Sequence, residues 1–192
     1  MEEIIVRTAK PKDAEAIQHI IHQWRSCSPA YQMIFWNDLL QHIGETISEE
    51  KIEKRREKIK NQEDYVITIV AESTKNKTII GVCNGSLQCE GEEILMGTNW
   101  SLLDYSSYGE LRVLYINPQS QRQWIWRLLL NYLEQRIYKN QKKWIILKTL
   151  RDNKQSNNFY KKHWYNLTPY QCTFTRRNTT AVCNIYIKTF NA

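Results

Sequence analysis

Apolar residues recur along this chain with two periods, one suited to strands and one to helices. Ile4–Thr8 is a short β-branched run that predicts a strand. Pro11 fits the first turn of the helix that follows, where its missing N–H costs nothing. Ile17, Ile20, Ile21 and Trp24 then return at helical spacing and define one buried face. Residues 26–44 keep no period but are rich in bulky side chains (Tyr31, Met33, Phe35, Trp36, Leu39, Leu40), which predicts an irregular segment that packs. Ser48 opens a second, strongly charged helix running to about Lys60, with Glu49 and Glu50 at its positive end.

The strand period takes over in residues 65–72 and 78–87, joined by a hairpin turn at 73–77. Residues 88–108, with Gly91 and Gly97, show no clear pattern. A strand over 110–117, a helix over 121–138, a strand over 143–150, a helix over 153–162 and strands over 164–174 and 182–190 complete the chain. In the helix over 121–138, Ile125, Leu128, Leu129, Tyr132, Leu133 and Ile137 fall on one face. No repeat or linker interrupts the series, so a single domain over residues 1–192 is expected. The order β-α-α-β-β-β-α-β-α-β-β predicts an α/β fold, a central mixed sheet flanked by helices on both faces.

Composition changes this picture little. At 192 residues, 42% hydrophobic and 24% charged, the chain is ordinary for one globular domain. Its net charge of +7 favours anionic partners. Much of that charge lies in KIEKRREKIK, residues 51–60, where Glu53 and Glu57 alternate with the bases as on a solvated helix face, so nucleic acid is not the expected partner. The five cysteines are odd in number and include no C-x-x-C pair; reduced thiols packed as small apolar groups are expected. Four histidines are scattered without metal-ligand spacing, and no metal is expected. The acidic N-terminus and aliphatic runs far below the ~20 residues of a membrane span predict a cytoplasmic protein without membrane contact.

Residues 109–130, GELRVLYINPQSQRQWIWRLLL, carry the most chemistry. Strand, turn at Asn117-Pro118 and helix start together predict an anion site, because first-turn N–H groups lack partners and the helix dipole is positive there.

Several motifs resemble, in order and spacing, those of the GNAT superfamily of acyl-CoA N-acyltransferases, over nearly the whole chain. Arg7-Thr8-Ala9 with Asp13-Ala14 resembles the family's opening strand and first helix. Trp24 and Tyr31 resemble a W…Y pair of one subgroup, and ELRVLYINP (Glu110 to Pro118) is similar to the fourth strand. Asn153, Ser156 and Phe159-Tyr160, followed by Lys161 to Tyr165, resemble the signature N-x-x-A-x-x-F-Y-E-K-x-G-F.

The resemblance implies a GNAT fold, acetyl-CoA as cofactor, and transfer of the acetyl group to a primary amine, of a small molecule or a peptide, by direct attack. It implies Glu110 as the base that deprotonates the amine, usually through water, and Tyr160 as the acid for the departing thiolate. Leu114, Tyr115 and Ile116 would offer backbone groups to the pantetheine arm and the thioester carbonyl. Gln121, Arg122, Gln123, Trp124, Ile125 and Trp126 stand where the pyrophosphate loop lies, and Asn153 where a side chain hydrogen-bonds the coenzyme. From the residues alone, Glu110 also reads as a solvated edge residue, Tyr160 as a packed aromatic and Asn153 as a helix N-cap. A homodimer through the late strands is implied as well.

The loop departs from the family pattern Q/R-x-x-G-x-G/A. Both small positions are indoles, Trp124 and Trp126, and Trp164 replaces the glycine of the later signature. A non-glycine residue in a left-handed conformation costs about 1–2 kcal/mol, and an indole competes for space with the pyrophosphate. The departure predicts weakened coenzyme binding. It also leaves a second reading, a non-catalytic GNAT-fold protein for binding or dimerisation.

Overall fold

The computed structural model of the chain describes residues 3–29, 32, 47–62, 64–88, 105–120, 124–176 and 179–190. Its strands are β1 (Ile4–Thr8), β2 (Val66–Ser73), β3 (Ile79–Ser86), β4 (Tyr108–Ile116), β5 (Trp144–Leu150), β6 (Asn166–Arg176) and β7 (Thr179–Thr189). The helices that position the site are α1 (Ala14–Cys27), α2 (Glu49–Lys60), α3 (Ile125–Lys139) and α4 (Lys154–Lys162). One sheet runs in the order β1-β2-β3-β4-β5-β7-β6. Its β4–β5 pair is parallel, and β1–β2, β5–β7 and β6–β7 are antiparallel, so the sheet is mixed. The expected α/β architecture with a mixed sheet and flanking helices is borne out. Two compact units share β4 and α3: Met1–Gly85 with Val113–Gln135, and Ser86–Arg112 with Arg136–Ala192. Most of residues 26–44 and 88–108, with Tyr31, Phe35 and Trp36, lie outside the described residues. Among the described residues no helix is long and apolar enough to cross a membrane.

In the first unit the helical period of α1 buries Ile17, Ile20 and Ile21 against Val70 of β2 and Val82 of β3, and the charged α2 adds only Ile52 and Ile59 to that core. The remainder of α2 faces solvent or is half-buried, as the charge pattern predicts. Side chains alternate along β3, so Gly81 points the opposite way from Val82. There a Cβ would come within 2.9–3.0 Å of Leu129, Ile116 and Ile125. Helices therefore cover both faces of this unit's sheet. In α3 the buried row is Ile125, Leu129, Leu133 and Ile137, with Leu130 beside it. Leu128, expected on that face, is 40% exposed. Steps of four residues drift around a helix, and the drift carries the stripe toward Leu130 and away from Leu128.

A buried ion pair fastens β1 to the helix after it. Arg7 Nη1 and Nη2 reach Asp13 Oδ2 and Oδ1 at 2.7 and 3.0 Å, while Nε donates to Glu72 at 2.8 Å. The Lys10 backbone N–H donates to Asp13 Oδ2 at 2.7 Å. Burial pushes the Asp13 carboxyl up, but the Arg7 fork, the Lys10 N–H and the charges of Arg7 and Lys12 outweigh it and hold it below its ordinary value. A carboxyl lowered in the folded state adds stability above its unfolded pKa, about 4, and loses it as pH falls through the folded value. Asp13→Asn is therefore expected to destabilise the chain by about 2–3 kcal/mol at pH 7, because Arg7 keeps Glu72. The deficit should shrink below about pH 4, as urea titrations at several pH values would read.

The second unit holds the parallel β4–β5 ladder, Tyr108–Leu111 against Trp144–Leu147, and the long antiparallel pairs β5–β7 and β6–β7. Gly109 is required here, since a Cβ would meet Ile137 at 2.5 Å. The last strands begin elsewhere than the pattern predicts: β6 at Asn166 and β7 at Thr179. Residues 163–165 instead close α4. Trp164 takes φ 67°, and the Tyr165 N–H donates to the Tyr160 carbonyl at 3.1 Å, the long bond of a Schellman cap. That cap wants glycine at the Trp164 position. Trp164 is 81% exposed and has little packing to lose. Trp164→Gly is expected to raise stability by about 1 kcal/mol, measurable as a higher urea midpoint at unchanged slope.

Candidate functional site

In the first unit, β4 ends at Ile116, a tight turn follows at Pro118–Ser120, and α3 starts at Ile125 rather than at 121. Asn117 anchors the turn: its N–H donates to Ile80 O, its carbonyl accepts from Ser120 N and its side chain from Gln119 N. Gln121, Arg122 and Gln123 lie outside the described residues. Trp124 follows with φ 53°, the left-handed conformation that glycine favours. Its carbonyl accepts from Arg127 N at 2.9 Å and Leu128 N at 3.3 Å, which opens α3.

The Trp124 indole does not fold onto the apolar face of α3. It is 64% exposed, with the Arg127 guanidinium 4.7 Å from its ring centre. The same guanidinium lies 5.5 Å from the half-buried Trp126 ring. Attraction between a cation and an indole face is worth about 0.5–1 kcal/mol at exposed sites, enough to orient both rings. Arg127 was not among the expected site residues. Its spacing three residues after Trp124 and one after Trp126 was the available signal.

Leu114 and Tyr115 are half-buried and Ile116 is buried. Tyr115 stacks on Trp24 at 4.4 Å, so the first of the two W…Y residues has a partner other than Tyr31, which lies outside the described residues. Burial pushes the Tyr115 hydroxyl up, against the pull of Arg25 and Arg55.

In the second unit Glu110 is 7% exposed, which corrects its reading as a solvated edge residue. Arg112 Nε donates to its Oε2 at 3.0 Å, and Lys148 Nζ lies 3.6 Å from its Oε1. Two cations offset the desolvation of this buried carboxylate. Register places Lys148 there, since Glu110 pairs with Ile146 and Lys148 is the next residue of β5 on that face.

Asn153 caps α4, its side chain accepting from Ser156 N at 3.1 Å, as its N-cap reading predicts. Within α4, Asn157 is the structural centre and had not been singled out. Its Nδ2 donates to the carbonyls of Leu150, Arg151 and Asn153, and its Oδ1 accepts from Asn184 and the buried Tyr186 hydroxyl at 2.8 Å each. Polar residues inside a short helix were the available sign. The same helix carries Tyr160, half-buried, with ring centres of Phe159, Tyr165 and Tyr186 at 5.1, 5.6 and 6.0 Å.

Register shows which of these residues share a face. Glu110, Ile146 and Ile187 stand in one row across the ladders, whereas Tyr186 pairs with Leu147 and points the other way. Tyr160 packs on the Tyr186 side. The two candidate catalytic residues therefore occupy opposite faces of this unit's sheet.

Solved structures share this architecture. The chain matches the PaiA N-acetyltransferase of Thermoplasma acidophilum, solved with coenzyme A, at 18% identity and TM-score 0.60, covering 98% of this chain and 99% of that one. It matches a ribosomal-protein-alanine N-acetyltransferase of Brucella melitensis at 16% identity and TM-score 0.69, covering 97% and 99%. It matches yncA of Salmonella typhimurium, solved with its cofactor acetyl-CoA, at 16% and 0.63, covering 98% and 94%. At such identities the likeness speaks for the fold. No curated protein matches the chain by sequence. Residues 33–164 match the model of the acetyltransferase (GNAT) family, a span that holds β2 through α4 and every candidate site residue named above. With more than half its length inside that match, the chain belongs to the GNAT acetyltransferase family.

Proposed function

We propose that the chain, as one domain over residues 1–192, is an acetyl-CoA-dependent N-acetyltransferase that passes the acetyl group to a primary amine of a small molecule or peptide by direct attack. The observation that carries this reading is the backbone at Trp124. The chain keeps a glycine-type φ of 53° at the start of α3 although the residue is an indole, and the ring stands out toward Arg127. A left-handed residue leading into a helix is the backbone form that a small residue ordinarily supplies at such a turn, and the positive end of the helix dipole suits a diphosphate.

The residues fit the coenzyme in this respect. Gln121 to Trp126 would hold its pyrophosphate, with Arg127 adding positive charge, and Leu114, Tyr115 and Ile116 would offer backbone groups to its pantetheine arm. By the family resemblance, Asn153 would offer the coenzyme its amide nitrogen, its oxygen being committed to Ser156. Bound, the coenzyme supplies an activated acyl thioester. Glu110, through water, would take the proton that an ammonium must lose before its nitrogen can attack. Tyr160 would give a proton to the thiolate.

A second reading rests on the half-buried Trp126 in the first turn, which adds bulk where the family has a small residue. It is a GNAT-fold protein that serves as a binding or dimerisation module without catalysis. Calorimetric titration separates the two. Acetyl-CoA is expected to bind the natural chain with a submillimolar Kd, and Trp124→Gly with Trp126→Gly to tighten it about tenfold, roughly 1.4 kcal/mol. A natural chain silent at millimolar acetyl-CoA, with binding only in the double variant, overturns the enzyme reading and leaves the second.

A further inference from the structure

The sheet face that bears Glu110 also bears a pair of thiols. Cys172 on β6 is the direct cross-strand partner of Cys183 on β7, and both are free. Cys183 pairs with Leu150 and Ile185 with Lys148, so alternation puts both thiols on the same face as Lys148 and Glu110. Direct cross-strand pairing sets the two thiol side chains next to each other. Cys183 is buried, whereas Cys172 is half-buried and open to small solutes.

We propose that this pair is a modification site, in which Cys172 is a hydroperoxide-reactive nucleophile and Cys183 the thiol that resolves it into a disulfide between β6 and β7. Directly opposed residues on antiparallel strands have Cβ atoms about 4.5–5.5 Å apart. A disulfide needs roughly 3.5–4.5 Å, so closure asks for a small approach of two strands already paired.

The chemistry separates the two sulfurs. The hydrogen bond from Cys183 favours the Cys172 thiolate, bringing that thiol down to about 7 against the effect of burial; the Lys148 ammonium assists and Glu110 opposes. The same bond, with burial, holds Cys183 protonated. The Cys172 thiolate attacks the peroxide O–O bond, forming S–O and releasing the alcohol or water once that oxygen takes a proton. The Cys183 sulfur then displaces water from the sulfenic acid. In sum, two thiols and one hydroperoxide give a disulfide, the alcohol or water, and a further water; sulfur is oxidised and the peroxide reduced. Cys83, fully buried with its thiol pushed up, and Cys27, exposed at the end of α1, are internal controls for environment and for mere exposure.

The test is peptide-resolved mass spectrometry of the full chain at pH 7.4. Iodoacetamide at limiting dose is expected to label Cys172 at least about tenfold faster than Cys27 or Cys83. Stoichiometric hydrogen peroxide is expected to link the Cys172 and Cys183 peptides with loss of two hydrogens, reversibly with dithiothreitol. In Cys183→Ser a sulfenic acid should accumulate on Cys172 and be trapped by dimedone, while Cys172→Ser should leave Cys183 reduced. Preferred labelling of Cys27, a link to any other cysteine, or no link at all overturns the proposal. None of these readouts depends on acetyl transfer, so failure here is distinct from failure of the acetyltransferase reading.

Discussion

Asn157→Ala is expected to destabilise the chain by about 3–5 kcal/mol, a loss that would unfold most of the protein at moderate urea. The side chain is buried and its amide satisfies five groups: three carbonyls at the β5–α4 junction, the Asn184 amide and the Tyr186 hydroxyl. Each buried polar group left without its partner costs about 1–3 kcal/mol, and the groups share one network, so their losses couple rather than add. Water entering the gap would recover part of the sum, which keeps the estimate below the simple total. Asn157→Asp is the sharper control. It keeps the acceptor for Tyr186 and Asn184 but sets a second oxygen against three carbonyls, and should destabilise about as much as alanine. Equilibrium urea unfolding by far-UV circular dichroism reads both. A loss under 1 kcal/mol for alanine would show that α4 is held by its apolar contacts alone.

The same network explains what the sequence made legible. Elements with a clear period were readable: β1, α1, α2, and the β2–β3 hairpin all lie within a few residues of their expected places. In α1 and α3 the stripe could be traced because helices bury one side only. The exceptions have physical causes. Leu128 fell outside the stripe because spacing of four drifts around the helix. β6 starts late because a Schellman cap occupies residues 163–165, and the glycine that announces such a cap is replaced by Trp164. At the candidate site, family spacing pointed to Glu110, Asn153 and Tyr160, all of which lie on or just ahead of regular elements. It did not single out Lys148 or Asn157, whose partners lie far along the chain, Arg112, which meets Glu110 two residues before it on the same face of β4, or Arg127, which acts within the first turn of α3. Long-range pairing is set by register, and register is not written in local periodicity. Trp124 is the informative case. The sequence predicted a strained indole competing for space in the loop; the backbone indeed holds φ 53° there, and the ring lies with Arg127. A strain of about 1–2 kcal/mol is small beside the total that fixes the β4–α3 turn.

Tyr160→Phe is expected to lower kcat for acetyl transfer by about 100-fold or more, with KM for acetyl-CoA changed less than about twofold, since proton donation to a leaving group is worth 10²–10⁴ in rate. Phenylalanine keeps the ring contacts with Phe159, Tyr165 and Tyr186, so the fold should be unaffected and the loss reports on the hydroxyl. Acyl transfer moves protons at two separate atoms, the attacking nitrogen and the departing sulfur, and one group cannot serve both at once. Nitrogen and sulfur are bonded to one carbon in the tetrahedral intermediate, so two groups on opposite faces of this unit's sheet cannot both touch it; Tyr160 would act directly, and any part for Glu110, held by Arg112 and Lys148, would run through intervening water. Stopped-flow detection of released thiol, at saturating acetyl-CoA and with a panel of amines, measures the effect. A Tyr160→Phe protein that keeps its full kcat while unfolding at the natural urea midpoint would take the acid role from Tyr160, and a slow leaving step would then have to draw its proton from solvent.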